Sequence, residues 1–216
     1  MYIKDSALED LFRKVRQTQE EIRSYCLGGD KPVASVDDLL FSVKNMYGID
    51  VILYLVPHET IHLDSFLLRY KDRCEILISD SLAESERRFA SVKEISHIII
   101  DQSEDWSTDV LNTIDTLLRD SELEISTDGE HTPEHSLVGE HISVVAASEF
   151  LYPDFFVDAD KKLIETNSTT VAAISVQRKI PVRCVKLLHN ESNYTMFKQF
   201  RARVSATSIV SSAPLA

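Results

Sequence analysis

The residues best placed for chemistry lie between Arg87 and Asp101, in the run RRFASVKEISHIIID. Lys93, Glu94 and His97 follow the spacing of the motif H-E-x-x-H, with a lysine in place of its first histidine. In the intact motif the two histidines lie one helical turn apart and bind zinc, and the glutamate acts as a general base. The chain therefore keeps the base and one ligand position, and lacks the other ligand.

The apolar periodicity of this run predicts one amphipathic helix. Lys93, His97 and Asp101 are spaced four residues apart, so they project to one side of that helix, and Glu94 reaches the same cleft. A zinc peptidase also needs a third protein ligand, usually a carboxylate from a later helix. Glu140 is the candidate, because it lies near the start of the next strongly apolar helix.

The rest of the chain predicts helices around a small sheet. The predicted elements are helices beginning near Ser6 and Ser35, strands at 49–56, 65–70 and 74–79, a helix at 86–101, helices at 108–119 and 134–151, and short helices at 168–175 and 181–189. Segments 57–63 and 120–134 are expected to be loops. We expect a single domain from 1 to 204, with a disordered Ser/Ala-rich tail at 205–216.

The composition is that of an ordinary soluble globular protein, with 44% hydrophobic and 27% charged residues. No apolar run is long enough to span a bilayer, and no secretory signal is evident, so we expect no membrane partner. Cys26, Cys74 and Cys184 lack metal-type spacing and are expected to be reduced thiols of a cytoplasmic protein. The net charge of -12 disfavours non-specific nucleic-acid binding.

The charge is unevenly distributed. Residues 101–134 hold 11 acidic residues against one basic residue, and residues 178–203 hold seven basic residues against one acidic residue. These segments are either two solvated faces, a docking surface for a charged partner, or two regions that contact each other.

The order of these elements and the two apolar helices resemble the ImmA/IrrE family of metallo-endopeptidases. Members carry a helix that reads R-F-x-x-A-H-E-x-x-H, which is similar to the run from Arg88 to His97. A second helix, roughly E-x-x-A-N-x-F-A-x-x-L-L-M-P, is similar to the run from Glu140 to Pro153. The resemblance covers a core at about residues 36–190, and the segment 165–204 is expected to be a helical C-terminal part.

The resemblance implies an α+β, zincin-like fold, mostly helical, with a sheet of about three strands packed on the motif helix. It implies a general-base role for Glu94 and metal-ligand roles for His97 and Glu140. Arg88 is a candidate to support the site from behind, with a salt bridge at the surface or at the start of the helix as the alternative. It gives Lys93 no ligand role, because a protonated lysine has no lone pair. We expect the ammonium to pair with Glu140, Glu94 or both, so zinc is either held by an altered site or absent.

Two altered zinc sites are conceivable from the sequence. His97, Asp101 and Glu140 could bind a metal one turn further along, unless Asp101 is simply an exposed residue of the last helical turn. The run from His131 to His135 has the inverted spacing H-x-x-E-H, although Pro133 favours a pair of loop histidines.

Three functions remain open. The resemblance implies a zinc peptidase acting on a protein partner, such as a helix-turn-helix repressor of a mobile element or regulatory locus. The residue chemistry at Lys93 favours a catalytically inactive pseudo-peptidase that serves as a protein-binding or regulatory module. The third is a DNA-contacting regulator that uses the basic C-terminal segment.

Overall fold

The computed structural model describes residues 5–25, 33–61, 63–101 and 135–211, without the side chains of 135–138 and 207–211. The helices are α1 (Asp5–Tyr25), α2 (Val36–Tyr47), α3 (His58–Ile61), α4 (Glu84–Ile100), α5 (His135–Leu151), α6 (Asp154–Glu165), α7 (Val171–Arg178), α8 (Val182–His189) and α9 (Glu191–Ser211). The strands are β1 (Asp50–Val56), β2 (Ser65–Arg69) and β3 (Arg73–Ser79). The expectation of a mostly helical α+β fold with a small three-stranded sheet is confirmed for these residues.

Local capping sets the ends of α2. The Ser35 hydroxyl accepts a hydrogen bond from the Asp38 N–H at 3.2 Å, and the Asp38 carboxylate accepts one from the Ser35 N–H at 2.7 Å. This reciprocal pair satisfies donors that the first helical turn would otherwise leave unpaired. Gly48 ends the helix with a φ of 70°, in the left-handed region that glycine adopts readily.

The sheet has the order β1-β3-β2, with β1 parallel and β2 antiparallel to β3. Along β3, buried Cys74, Ile76 and Ile78 alternate with partly buried residues, as expected for a strand with one face on the core. Both β3 and β2 contact α4, which also packs along α5. The motif helix therefore lies between the sheet and a second apolar helix, and is buried on nearly all sides from Phe89 to Ile100.

Several elements differ from those expected. The segment 57–63 contains the short helix α3, and α6 forms where no helix was expected. Helix α9 lies mostly in the segment 165–204 that was expected to be helical, although its own bounds were not predicted. The apolar pattern of α6 is interrupted because Asp160, which is 2% exposed, takes a core position. Helix α9 continues to Ser211, into the segment expected to be disordered. The helix expected at 108–119 and the loop at 120–134 lie outside the described residues.

A buried polar network joins the C-terminal helices to α5. The Tyr152 hydroxyl donates to Asp160 at 2.9 Å and lies 2.9 Å from Nε2 of His189. Arg178 donates to both carboxylate oxygens of Asp160, at 2.9 and 3.0 Å. Burial, followed by the hydrogen bond to Asp160, raises the pKa of Tyr152. The network thereby connects the end of α5 to α6 and α7 through the Asp160 carboxylate, and to α8 through the Tyr152 hydroxyl.

No helix in the described part of the chain is long and apolar enough to cross a membrane.

Replacing Asp160 with alanine should lower the free energy of unfolding by about 3–5 kcal/mol, because the Arg178 guanidinium would remain buried without its carboxylate. The matched control is Asp158→Ala on the same helix, whose carboxylate is 44% exposed and should cost no more than about 1 kcal/mol. Urea denaturation measures both values. Equal losses for the two variants would contradict a structural role for the network.

Candidate functional site

The packing of α4 against α5 brings together the residues that the sequence singled out. Lys93, Glu94 and His97 lie on α4, and Glu140 lies in the first part of α5. Glu94 is 3% exposed and His97 is 8% exposed, so both ionisable side chains are buried. The helical spacing of α4 alone places the first three on adjoining faces, whereas the contact with Glu140 depends on the tertiary packing.

The ammonium of Lys93 lies between two carboxylates. Its Nζ is 2.9 Å from Oε1 of Glu94 and 2.8 Å from Oε2 of Glu140. The expected pairing of Lys93 is therefore observed with both acidic residues. A charge-assisted hydrogen bond at each carboxylate compensates for the removal of these groups from water.

The imidazole of His97 also contacts two carboxylates. Its Nε2 is 3.1 Å from Oε1 of Glu140, and its Nδ1 is 3.2 Å from Oδ2 of Asp101. Two carboxylates can both accept hydrogen bonds from one imidazole only when both ring nitrogens carry protons. The geometry thus favours the imidazolium form of His97.

Two residues of β2, Ser65 and Arg69, complete the cluster and were not expected from the sequence. The Ser65 hydroxyl donates to Oε1 of Glu94 at 2.6 Å. The Arg69 guanidinium forms an ion pair with Asp101. Ser65 and Arg69 are four residues apart on β2, so both lie on the face of the strand that is turned towards α4. The sequence signal that could have identified them is the presence of polar residues on a buried strand face.

These side chains form an ion-pair cluster whose charges balance. The ion-pair cluster consists of Lys93, Glu94, His97, Asp101 and Glu140 together with Ser65 and Arg69. Three carboxyl groups face three cationic groups when His97 is protonated, so the cluster carries no net charge in that state. Such compensation is needed because unpaired charges are costly in a region of low dielectric constant.

Proton affinities in the cluster follow from these contacts. Burial alone would lower the pKa of Lys93, but attraction to Glu94 and Glu140 outweighs it and raises that pKa. Burial would also lower the pKa of His97, yet hydrogen bonds to Asp101 and Glu140 raise it to about 9. Burial opposes ionisation of Glu140 and Asp101, but their contacts with the cationic groups lower the pKa of both.

The residues present do not fit a catalytic zinc ion. At the first ligand position, the protonated Lys93 offers no lone pair and brings positive charge. His97 and Glu140, the two expected ligands, bind each other, and Nδ1 of His97 faces Asp101. A zinc ion there would require a deprotonated imidazole and the loss of the Lys93 ion pairs.

The shifted zinc site is also disfavoured by the geometry. Asp101 and Glu140 contact opposite nitrogens of the His97 ring, whose lone pairs diverge, so in this arrangement the three residues do not converge on one point. Over the described ranges, no group of three or more His, Cys, Asp or Glu residues is arranged to hold a metal. Asp101 is not an exposed last-turn residue, because its side chain is only 17% exposed. The run His131–His135 lies outside the described side chains.

Arg88 connects the motif helix to the C-terminal helices. Its Nη1 donates to the carbonyl of Arg178 at 3.5 Å, and burial lowers the pKa of its guanidinium. This hydrogen bond joins α4 to α7, and the support of the site by Arg88 stays a prediction. Arg178 in turn binds Asp160, so the motif helix is linked to the polar network of the C-terminal helices.

Most of the basic C-terminal segment forms ion pairs within the fold. Five of its seven basic side chains lie within 4.0 Å of a carboxylate on α1, α4, α5 or α6: Arg178 with Asp160, Arg183 with Glu86, Lys198 with Asp158, Arg201 with Glu149 and Arg203 with Asp5. Almost all of the acidic segment 101–134 lies outside the described residues, so a contact between the two segments stays a prediction.

Comparison with known proteins assigns the chain to no family. No protein-family model matches the chain, and no curated protein matches it. The class of the site is therefore given by its contacts, which are those of a buried ion-pair cluster between α4, α5 and β2.

The raised pKa of His97 predicts a loss of stability at alkaline pH. The folded protein favours the protonated imidazole, so this stabilisation is complete below pH 6.5 and disappears as the pH rises through about 9. A difference of this size between folded and unfolded states corresponds to about 3 kcal/mol. Unfolding free energies measured across this range should fall in the wild type, and His97→Gln should remove most of the slope. An unchanged slope in His97→Gln would contradict the assignment.

Removing the ammonium of Lys93 should be strongly destabilising. Lys93→Met leaves the Glu94 and Glu140 carboxyl groups close together without their shared cation, at an expected cost of about 3–5 kcal/mol at neutral pH. Adding Glu140→Gln should recover a large part of that loss, because one of the two charges is then absent. Lys44→Met is the matched control, since Lys44 is 51% exposed in its pair with Asp50 and should cost less than about 1 kcal/mol. Chemical denaturation of all variants measures these losses in the free energy of unfolding.

Proposed function

We propose that this protein is a catalytically inactive, zincin-like relative of the ImmA/IrrE peptidases that acts as a protein-binding or regulatory module. The observation that carries the proposal is the position of the Lys93 ammonium between Glu94 and Glu140, at 2.9 and 2.8 Å. The order of the elements and the spacing of the two motif helices support the relationship. The lysine at the first ligand position supports the loss of hydrolysis.

The state of Glu94 further supports an inactive site. Zinc-dependent hydrolysis requires a metal-bound water and a carboxylate free to accept its proton. Glu94 instead accepts hydrogen bonds from Ser65 at 2.6 Å and from Lys93 at 2.9 Å through the same oxygen. The general base of a peptidase is thus engaged by two donors, and one of them carries a positive charge.

The proposed partner is a protein, and the resemblance suggests a helix-turn-helix repressor. Nucleic acid is not the proposed partner, because the net charge is -12 and most basic residues of the C-terminal segment already bind carboxylates. We place the protein in the cytoplasm, since Cys74 and Cys184 are free thiols.

An active peptidase is the competing function, and one observation favours it. Glu94, His97 and Glu140, which correspond to the base and two ligands, all lie within one cluster of contacts. A conversion to the imidazole form of His97 and a displacement of Lys93 would be required before these residues could serve a metal. The two functions therefore differ in their metal content.

Metal analysis of protein purified without chelators separates the two functions. The proposal predicts no stoichiometric zinc in the wild type and a gain of zinc binding in Lys93→His, which restores the first ligand. Lys93→Met is the matched control, because it removes the ammonium without supplying a ligand, and it should remain free of zinc. Stoichiometric zinc in the wild type that disappears in both His97→Ala and Glu140→Ala would contradict the proposal.

A further inference from the structure

The outer edge of β1 has no strand beside it in the described part of the chain. In the order β1-β3-β2, β1 is hydrogen-bonded to β3 on one side and is a terminal strand on the other. Its sequence, DVILYLV, contains no proline and no charge after Asp50. Natural sheets commonly protect their edges with proline, charge or bulges, since an open edge pairs with other chains. This edge lacks the protection that proline or an inward charge would give.

The direction of the free backbone groups follows from one hydrogen bond. The carbonyl of Val56 accepts from the N–H of Asp80 at 2.9 Å, so the backbone groups of Val56 point towards β3. Successive residues of a strand point their N–H and C=O groups to opposite sides. The backbone groups of Val51, Leu53 and Leu55 therefore point outwards along the open edge.

Exposed apolar side chains lie on β1 and on α2, the helix that precedes β1. On β1, Ile52 is 39%, Tyr54 is 42% and Leu55 is 57% exposed, and on the adjoining α2, Phe41 is 50% and Tyr47 is 41% exposed. Because an aromatic side chain offers about 150–250 Å², these exposures leave on the order of 400 Å² of apolar surface.

We propose that the β1 edge pairs antiparallel with the β1 edge of a second copy, so that two sheets join across a twofold axis at Leu53. In this register Leu53 faces Leu53 of the second copy, and Val51 faces Leu55 of the second copy. All three residues direct their backbone groups outwards, so each facing pair exchanges its N–H and C=O hydrogen bonds. The same surface serves both copies, as a twofold interface requires.

The side chains of the strand are compatible with this register. Ile52 faces Tyr54 of the second copy, which is the type of β-branched and aromatic pair that stabilises neighbouring strands. Asp50 faces Val56 of the second copy, so the acidic side chains at the two strand ends do not meet. A slip by one residue would direct the outward backbone groups of one strand against inward ones of the other.

The lack of charge on the strand favours a second copy over a charged partner. The strand is uncharged from Val51 to Val56, so it complements another uncharged apolar strand. A standard interface buries about 800 Å² per partner, and the exposed apolar side chains supply about half of that area. We therefore expect a weak dimer, with a dissociation constant of about 1–100 µM. Because each copy has a net charge of -12, added salt should strengthen the dimer.

Sedimentation velocity of the full chain tests this dimer. Between about 1 and 300 µM, the average mass should rise from 24.5 kDa towards twice that value. Leu55→Pro removes an outward N–H at a side chain that is 57% exposed, and should weaken the dimer by about 30-fold. Leu55→Ala keeps the N–H and should weaken it by no more than about fivefold. Circular dichroism checks that both variants are folded.

A charge pair tests the register independently of folding effects at Leu55. Ile52→Lys and Tyr54→Glu should each weaken the dimer when studied alone, and an equimolar mixture of the two should recover a mixed dimer, because the introduced charges face each other. Val176→Glu on α7, at a side chain that is 78% exposed, is the control and should leave the dimer unchanged. A protein that stays monomeric at every concentration would overturn the proposal. This holds even if its β1 edge binds an extended segment of another protein. A dimer unaffected by Leu55→Pro and Ile52→Lys would also overturn it.

Discussion

The ammonium of Lys93 between the carboxylates of Glu94 and Glu140 is the interaction on which the arrangement of the site depends. Without a cation, two carboxyl groups from neighbouring helices would repel each other in a buried space. With it, α4 and α5 pack closely, and the second oxygen of Glu140 remains available to His97. His97 then binds Asp101, which binds Arg69 of β2, so the sheet is included in the same chain of contacts.

A buried cluster of this kind determines geometry more than it adds net stability. The cost of removing charges from water offsets much of the Coulomb attraction, whereas the loss of one partner leaves another charge uncompensated. The cluster therefore favours one alignment of α4, α5 and β2 over alternatives. In a zinc peptidase a metal ion would supply the positive charge at such a site. Here Lys93, His97 and Arg69 supply the positive charge, so the cluster is balanced by its own side chains.

Local signals in the sequence were sufficient for much of the fold. The capping pair Ser35 and Asp38 marked the start of α2, and the hairpin of β2 and β3 followed from two apolar runs around a polar turn. Helix α6 was missed because Asp160 occupies a core position, where its charge is compensated by Arg178 from a later helix. That compensation depends on contacts distant in the sequence, so no local pattern reveals it.

The site was predictable to a similar extent. Helical spacing alone predicted that Lys93, His97 and Asp101 share one side of the motif helix. Glu140 was predicted from its position near the start of the next strongly apolar helix. Ser65 and Arg69 could not be assigned, because their role depends on which strand packs beside α4. The protonation of His97 depends on two carboxylates from different elements, and only the folded arrangement determines it.

The most direct test of the ion-pair account is the protonation state of His97 in the wild-type protein, measured by long-range proton–nitrogen NMR of the imidazole at neutral pH. The account predicts that both ring nitrogens carry protons and that the imidazolium persists until the pH approaches about 9. A neutral imidazole at pH 7, with an unprotonated nitrogen available to a metal ion, would contradict it.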